Sequence, residues 1–307
     1  MTRKHKKDVA HTDMTGKTFV DACLAKQLRP YAHLARWDRP IGTWLVLFPG
    51  WWTLALASGG VTGNLLQWDM LRLFLIFAAG AFLVRGAGCT VNDIWDRDID
   101  GGVERTQTRP LAAGTVTLKQ ALGFAGLQFL LGLLLLLQLN HFTIMIGVAS
   151  VLPICLYPLL KRVTWWPQLG LGLVFNISAL MGWAAVTGTL AWTAIFIYIG
   201  CICWTIGYDT IYAHQDKEDD ARLGLKSTAR LFGKHSKPLV GLFYVLAWLF
   251  WTAASLIVFT HAWLMLLPGL HLLWQLVVWR TDEPESCLKI FRSNRTLGWI
   301  VFILFLL

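Results

Sequence analysis

The sequence predicts an all-helical integral membrane protein with nine spanning helices, and three observations carry that expectation. Of the 307 residues, 56% are A, V, I, L, M, F, W, Y or C and only 15% are charged, where soluble domains carry about 25% charge. A spanning helix needs about 20 mainly apolar residues, and nine such runs follow one another. They lie near 41–59, 71–90, 119–138, 142–160, 168–187, 190–208, 239–259, 262–279 and 291–307. Finally, 25 of the 27 Lys and Arg fall before the first run or in alternate connections.

The first 28 residues, opening TRKHKK, are expected to form a polar and flexible arm, of which 1–17 lie outside the residues described below, and residues 29–307 a single transmembrane domain. No apolar secretory core follows the basic stretch, and Asp8, Asp13 and Asp21 are unlike a mitochondrial presequence. A bacterial inner membrane is therefore expected ahead of a mitochondrial one. Nine bases lie in residues 1–40, ahead of the first run, and four, two, six and four in 91–119, 161–167, 209–238 and 280–295. The connections near 60–70, 139–141, 188–189 and 260–261 have none. Because short cytoplasmic loops are the basic ones, the N-terminus is expected inside and the C-terminus outside. The last run is the shortest, since Arg292 and Arg295 interrupt it. The six Cys, with no C-x-x-C pair, read as small buried hydrophobes.

The net charge of +9 does not point to nucleic acid, because the bases sit in short blocks between apolar runs. The 18 acids are more informative: five fall in 93–104 and five in 209–220. Asp93 and Asp209 are 116 residues apart, as are Asp100 and Asp216, which suggests a repeated unit of four helices with an acid-rich cytoplasmic loop in each half.

At 100° per residue Asn92, Asp96 and Asp100 share one helix face, with Asp93 beside them and Asp98 turned away. In the second window Asp209, Tyr212, Asp216 and then Asp219 or Asp220 share a face by the same arithmetic. Carboxylates crowded in this way repel unless a cation sits among them, and Mg²⁺ suits a phosphate ester because phosphate oxygens complete its shell. Arg36, Arg39, Arg105, Arg109, Lys161, Arg162 and Lys226 stand nearby in sequence and suit an anion. Together they describe a diphosphate site above an apolar bundle suited to a long hydrocarbon tail. The plainer alternative makes the bases a topology signal and the acids a solvated surface.

Arg85 falls inside the second apolar run, where a charge is costly and usually partnered. Seven residues before Asn92, it lies on the same face about 10 Å deeper. It either pairs with an acid above it or anchors a carboxylate on a second substrate. Asn176 either lines the same cavity or links two helices. The 17 Trp read mostly as an interfacial belt.

At these residues the chain resembles the UbiA superfamily of membrane prenyltransferases. The motif N-D-x-x-D-x-x-x-D matches Asn92, Asp93, Asp96 and Asp100, and D-x-x-Y-A-x-x-D-x-x-D-D matches Asp209, Tyr212, Ala213, Asp216, Asp219 and Asp220. RWDRPIGTWLVLFPGWW, RTQTRPLAAG, LYPLLKRVTWWPQLGLGLVFN and LGLKSTARLFG look like the branch that acts on 4-hydroxybenzoate in ubiquinone synthesis. Arg39 departs from that branch, which often has Lys there. The resemblance implies a nine-helix bundle with its cavity open to the cytoplasm or matrix and sideways to the lipid bilayer. It implies catalysis at Asp96, Asp100, Asp209 and Asp216, with Asn92, Asp219 and Asp220 completing the Mg²⁺ set. The polyprenyl diphosphate would meet Arg36, Arg105, Arg109, Lys161, Tyr212 and Lys226, and Arg85 would hold the carboxylate of 4-hydroxybenzoate. Homogentisate, dihydroxynaphthoate and haem are the alternative acceptors, and a transporter is the alternative outside this chemistry.

Overall fold

The computed structural model describes residues 18–60, 63, 67–102, 106–258 and 261–307, among which every regular element is helical. Two short helices, α1 (Phe19–Cys23) and α2 (Arg29–Leu34), precede the first long one, α3 (Ile41–Ser58). Then come α4 (Trp68–Asp100), α5 (Leu118–Leu136), α6 (His141–Leu156), α7 (Leu160–Val163), α8 (Pro167–Phe175), α9 (Ile177–Thr187) and α10 (Trp192–Ala213). The chain closes with α11 (Lys217–Arg222), α12 (Thr228–Phe232), α13 (Ser236–Val258), α14 (Leu266–Val278) and α15 (Pro284–Leu306).

Among the described residues seven segments are long and apolar enough to cross a membrane, and they coincide with the first seven expected spans. The eighth run is a shorter apolar helix, Ala262–Val278. The ninth belongs to α15, whose first half carries Glu285, Lys289, Arg292 and Arg295. Much of the expected basic connection 280–295 is therefore helix. The acid windows are likewise not loops. α4 runs on as helix to Asp100, while α10, a 3₁₀ turn at His214–Asp216 and α11 carry the second window.

The chain forms two compact units, residues 1–40 with 86–128, and residues 41–85 with 129–307. In the first, Leu34, Val116 and Ala121 form the core, and Tyr31 meets Phe124 edge-on at 5.3 Å. The second is built on aromatic rings. Trp52 stacks on Trp204 at 5.5 Å, and Trp251 lies across both. Trp52, Trp204, Trp251 and Trp279 are fully buried, so these four tryptophans are core material, unlike the interfacial belt expected for most of the 17.

Several buried donors in the second unit find partners on other helices, which offsets the cost of burying them. Trp204 Nε1 donates to Asn294 Oδ1 at 2.7 Å, Trp52 Nε1 to the Gly298 carbonyl at 3.0 Å, and Tyr244 Oη to Gln275 Oε1 at 2.7 Å. Gln275 Nε2 donates to Asn294 Oδ1 at 3.1 Å and to Ser293 Oγ at 3.0 Å. The expected fifth span breaks between α8 and α9 at Asn176. There Tyr198 Oη donates to the Leu173 carbonyl at 2.8 Å, and Asn176 Nδ2 donates to the Gly172 carbonyl at 2.7 Å and to Thr205 Oγ1 at 2.8 Å. Asn176 is thus a link between helices.

Candidate active site

In the first unit the site residues come from the end of α4, the segment after α2 and the turn beyond residue 106. Asp93, Asp96 and Asp100 are 0, 1 and 5% exposed. Carboxylates so buried need partners, and the chain supplies them. Arg36 Nη2 donates to Asp93 Oδ1 at 2.7 Å, and Arg109 Nη1 reaches Asp93 Oδ1 at 3.2 Å and Asp100 Oδ2 at 3.0 Å. Asn92 Nδ2 donates to Asp96 Oδ2 at 3.0 Å, one turn along. Asp98 points away and pairs with exposed Arg97 at 3.4 Å, as the helical arithmetic expects. Arg105 lies outside the described residues.

The backbone at Arg36 shows what this arrangement costs. Its φ is +61°, the left-handed region usually left to glycine. Trp37 N donates to the Ala32 carbonyl and Arg36 N to the His33 carbonyl, which is the hydrogen-bond pattern that closes a helix with glycine at this position. An arginine kept there aims a guanidinium at Asp93 in exchange for about 1 kcal/mol or more of backbone strain.

The second unit holds Arg85, Lys161, Asp209, Tyr212, Asp216, Asp219, Asp220 and Lys226. Arg85 lies over the Phe175 ring, its Cζ 5.4 Å from the centroid. Its charge acts on Asp209, as do Gln168 and Asp216. Gln168 is a further member of this set, not among the residues expected from the motifs. It is 4% exposed, and its Oε1 also accepts from Thr228 N at 3.0 Å. A glutamine inside the apolar run 167–187 was the available signal. Lys226 N donates to the Lys161 carbonyl at 2.8 Å and Lys226 Nζ to the Val163 carbonyl at 2.8 Å, which ties these two basic segments together. Tyr212 packs on Phe291 with centroids 4.4 Å apart. Asp216 precedes α11, and Asp219 and Asp220 lie in its first turn. Asp219 pairs with Arg222 at 3.4 Å.

An apolar cavity of about 490 Å³ opens within this unit, lined by Phe77, Gly80, Val84, Leu133, Gly147 and Phe175 among others. Val84 and Phe175 place one end of it beside Arg85.

Among the described residues no three His, Cys, Asp or Glu side chains form a metal cage on their own. Mg²⁺ commonly takes one or two carboxylates and fills its shell with water and phosphate oxygens. The donors on offer are hard oxygens, and Asp93 Oδ2 is a buried acceptor without a hydrogen-bond donor.

Residues 46–306 match the UbiA prenyltransferase family. A protein of Aedes aegypti named 4-hydroxybenzoate polyprenyltransferase, mitochondrial, is 46% identical over 279 residues, covering 89% of this chain and 62% of its own length. One of Bos taurus with the same name is 46% identical over 285 residues, covering 91% and 75%. The chain therefore spans between about three fifths and three quarters of these relatives, and their mitochondrial names do not favour the bacterial membrane expected above. Among solved structures, a UbiA homolog from Aeropyrum pernix K1 superposes with a TM-score of 0.71 at 22% identity, covering 86% of this chain and 98% of that one. A UbiA homolog from Archaeoglobus fulgidus bound to GPP and Mg²⁺ gives 0.66 at 17%, covering 90% and 99%. At such identities the likeness is one of fold.

Proposed function

The chain belongs to the UbiA prenyltransferase family, and we propose that it transfers a polyprenyl group from polyprenyl diphosphate to the ring carbon ortho to the hydroxyl of 4-hydroxybenzoate. This is a membrane step of ubiquinone biosynthesis. The observation that carries the reading is 46% identity, over about nine tenths of the chain, to proteins named for that reaction. The neighbour solved with GPP and Mg²⁺ supports the donor and the metal. In this reading residues 29–307 act as one nine-span enzyme in an inner membrane. The basic N-terminal arm and both acid windows then face the cytoplasm or matrix.

Asp96, Asp100, Asp209 and Asp216, with Asn92 and the α11 acids Asp219 and Asp220, would hold Mg²⁺. When bound, the ion neutralises charge growing on the departing diphosphate. Arg36, Arg105, Arg109, Lys161 and Lys226 add fixed positive charge for the diphosphate oxygens, and preorganised charge of this kind lowers the barrier to breaking the allylic C–O bond. Arg109 already grips Asp93 and Asp100, so an arriving diphosphate competes with those carboxylates for one guanidinium. Tyr212 lies beside the metal-holding acids. Arg85 holds the acceptor's carboxylate and so presents the ring carbon beside the hydroxyl to the allylic carbon. Loss of the ring proton restores aromaticity. The apolar cavity takes the hydrocarbon tail and keeps water from the cation.

The test is mass spectrometry of the lipid formed by the purified chain from 4-hydroxybenzoate and a mixture of prenyl diphosphates with Mg²⁺. The expected product is the prenylated hydroxybenzoate, lost when the metal is chelated. Product from homogentisate or dihydroxynaphthoate alone would overturn the acceptor, and solute flux without product would overturn the chemistry.

A further inference from the structure

Arg85 has two unlike neighbours within the second unit. One is Gly42, buried in the first turn of α3. A Cβ built there would crowd Arg85 Nε and lie 2.7 Å from Nη2 and 2.9 Å from Cζ, closer than carbon contacts allow. The other is Phe175, the last residue of α8 before the break at Asn176, whose ring centroid is 5.4 Å from Cζ. Tyr157 stands edge-on to Phe175 at 6.2 Å and 74° and buttresses it. Arginine recognises a carboxylate through two parallel N–H bonds, so the tilt of the guanidinium matters as much as its presence. A long side chain inside a membrane protein keeps one tilt only if its surroundings impose it.

We infer that Gly42 and Phe175 are positioning residues for the acceptor's carboxylate: the missing side chain at 42 is the notch in which the Arg85 guanidinium lies, and the Phe175 face sets its tilt. This rests on the reading of Arg85 as the carboxylate anchor. The two neighbours differ in what a substitution moves. At Gly182 an added Cβ would meet the Gly50 carbonyl, so backbone would have to shift. At Gly42 it meets the far end of a flexible side chain, so alanine displaces the arginine and spares the helix.

The experiment measures both Michaelis constants for the full chain in membranes. Gly42→Ala should raise KM for 4-hydroxybenzoate about tenfold or more, the loss expected for a misaligned charge-assisted pair. KM for the prenyl diphosphate should stay within about twofold. Phe175→Leu should raise the aromatic KM about three- to tenfold. Both effects should vanish in an Arg85→Ala background and with a phenolic acceptor that lacks the carboxylate. If Arg85→Ala raises the aromatic KM and Gly42→Ala does not, the positioning role is overturned and the anchor stands. If Arg85→Ala leaves that KM unchanged, the anchor falls and this inference with it. A Gly42→Ala variant that raises both constants alike, or that melts earlier, would mark the glycine as structural and overturn the proposal.

Discussion

Asp93, Asp96 and Asp100 expose at most 5% of their surface and are held by Arg36, Arg109 and Asn92. Asp219, by contrast, exposes 34% of its side chain and meets an exposed Arg222 at 3.4 Å. The two acid windows look alike as strings of aspartates, yet their charge is relieved in different ways. In the first, crowding is answered by two guanidiniums of the chain itself. In the second, Asp209 feels Arg85 and Gln168, while Glu218, Asp219 and Asp220 occupy the first turn of a helix, where partial positive charge favours them. In the first window arginine is thus the cation that lies among the crowded carboxylates.

The hardest way to break this comparison is to remove a proposed metal ligand from each window. Asp96→Ala and Asp216→Ala should each lower Mg²⁺-dependent transfer by about 10²-fold or more in membranes with expression intact, and activity retained by both would end the metal assignment. Next comes Asp93→Ala, which strips the carboxylate shared by Arg36 and Arg109. Removing one partner of a buried pair costs about 3–5 kcal/mol, and an unchanged melting temperature would show that Asp93 is not the keystone of the first window. A sharper cut uses the backbone of Arg36. Arg36→Gly should be the milder change than Arg36→Ala by roughly 1 kcal/mol in melting experiments, because glycine relieves the left-handed strain. Equal losses would mean that the strain is negligible. In the exposed pair, Arg222→Ala should alter stability by less than about 1 kcal/mol.

The smallest effect concerns an acid outside both windows. Asp21 accepts from Thr18 N at 3.0 Å and Thr18 Oγ1 at 2.8 Å. The Thr18 backbone bond and then its side-chain bond, helped by His33, hold its pKa down to about 2. A lowered carboxylate pKa stabilises the fold above the ordinary aspartate value, and that contribution is lost as pH falls through the folded value. The cap on α1 should thus persist at pH 4 and fray toward pH 2. Titration of the Asp21 carboxyl by NMR checks this, and a midpoint near 4 would refute it.

Hydropathy located seven spans because burial in lipid is a property of composition, and α5, facing mostly outward, needs little else. It could not see that the fifth run breaks at Asn176. Continuity depends on what satisfies the carbonyls near the break, and the donor to the Leu173 carbonyl, Tyr198, and the acceptor of the Asn176 amide, Thr205, both come from another helix. The face shared by Asn92, Asp96 and Asp100 was legible from 3.6-residue periodicity alone, as was the outward turn of Asp98. The union of Asp93 with Arg36 was not. It spans 57 residues and depends on a positive φ that favours glycine over arginine. Gly42 was equally silent, since its meaning is a contact it does not make.

α15 carries too many charged residues in its first half to rank with the apolar spans, yet Asn294, Leu297, Val301 and Phe305 are fully buried. Its attachment runs through Asn294 and Gly298, which receive the indole N–H groups of Trp204 and Trp52. The consequence is one of biogenesis. A segment with this sequence has little reason to leave the insertion machinery by partitioning into lipid alone, and its docking depends on α3, α10 and α14 having already presented those donors. Integration of α15 thus reports on whether the helices that offer those donors have assembled.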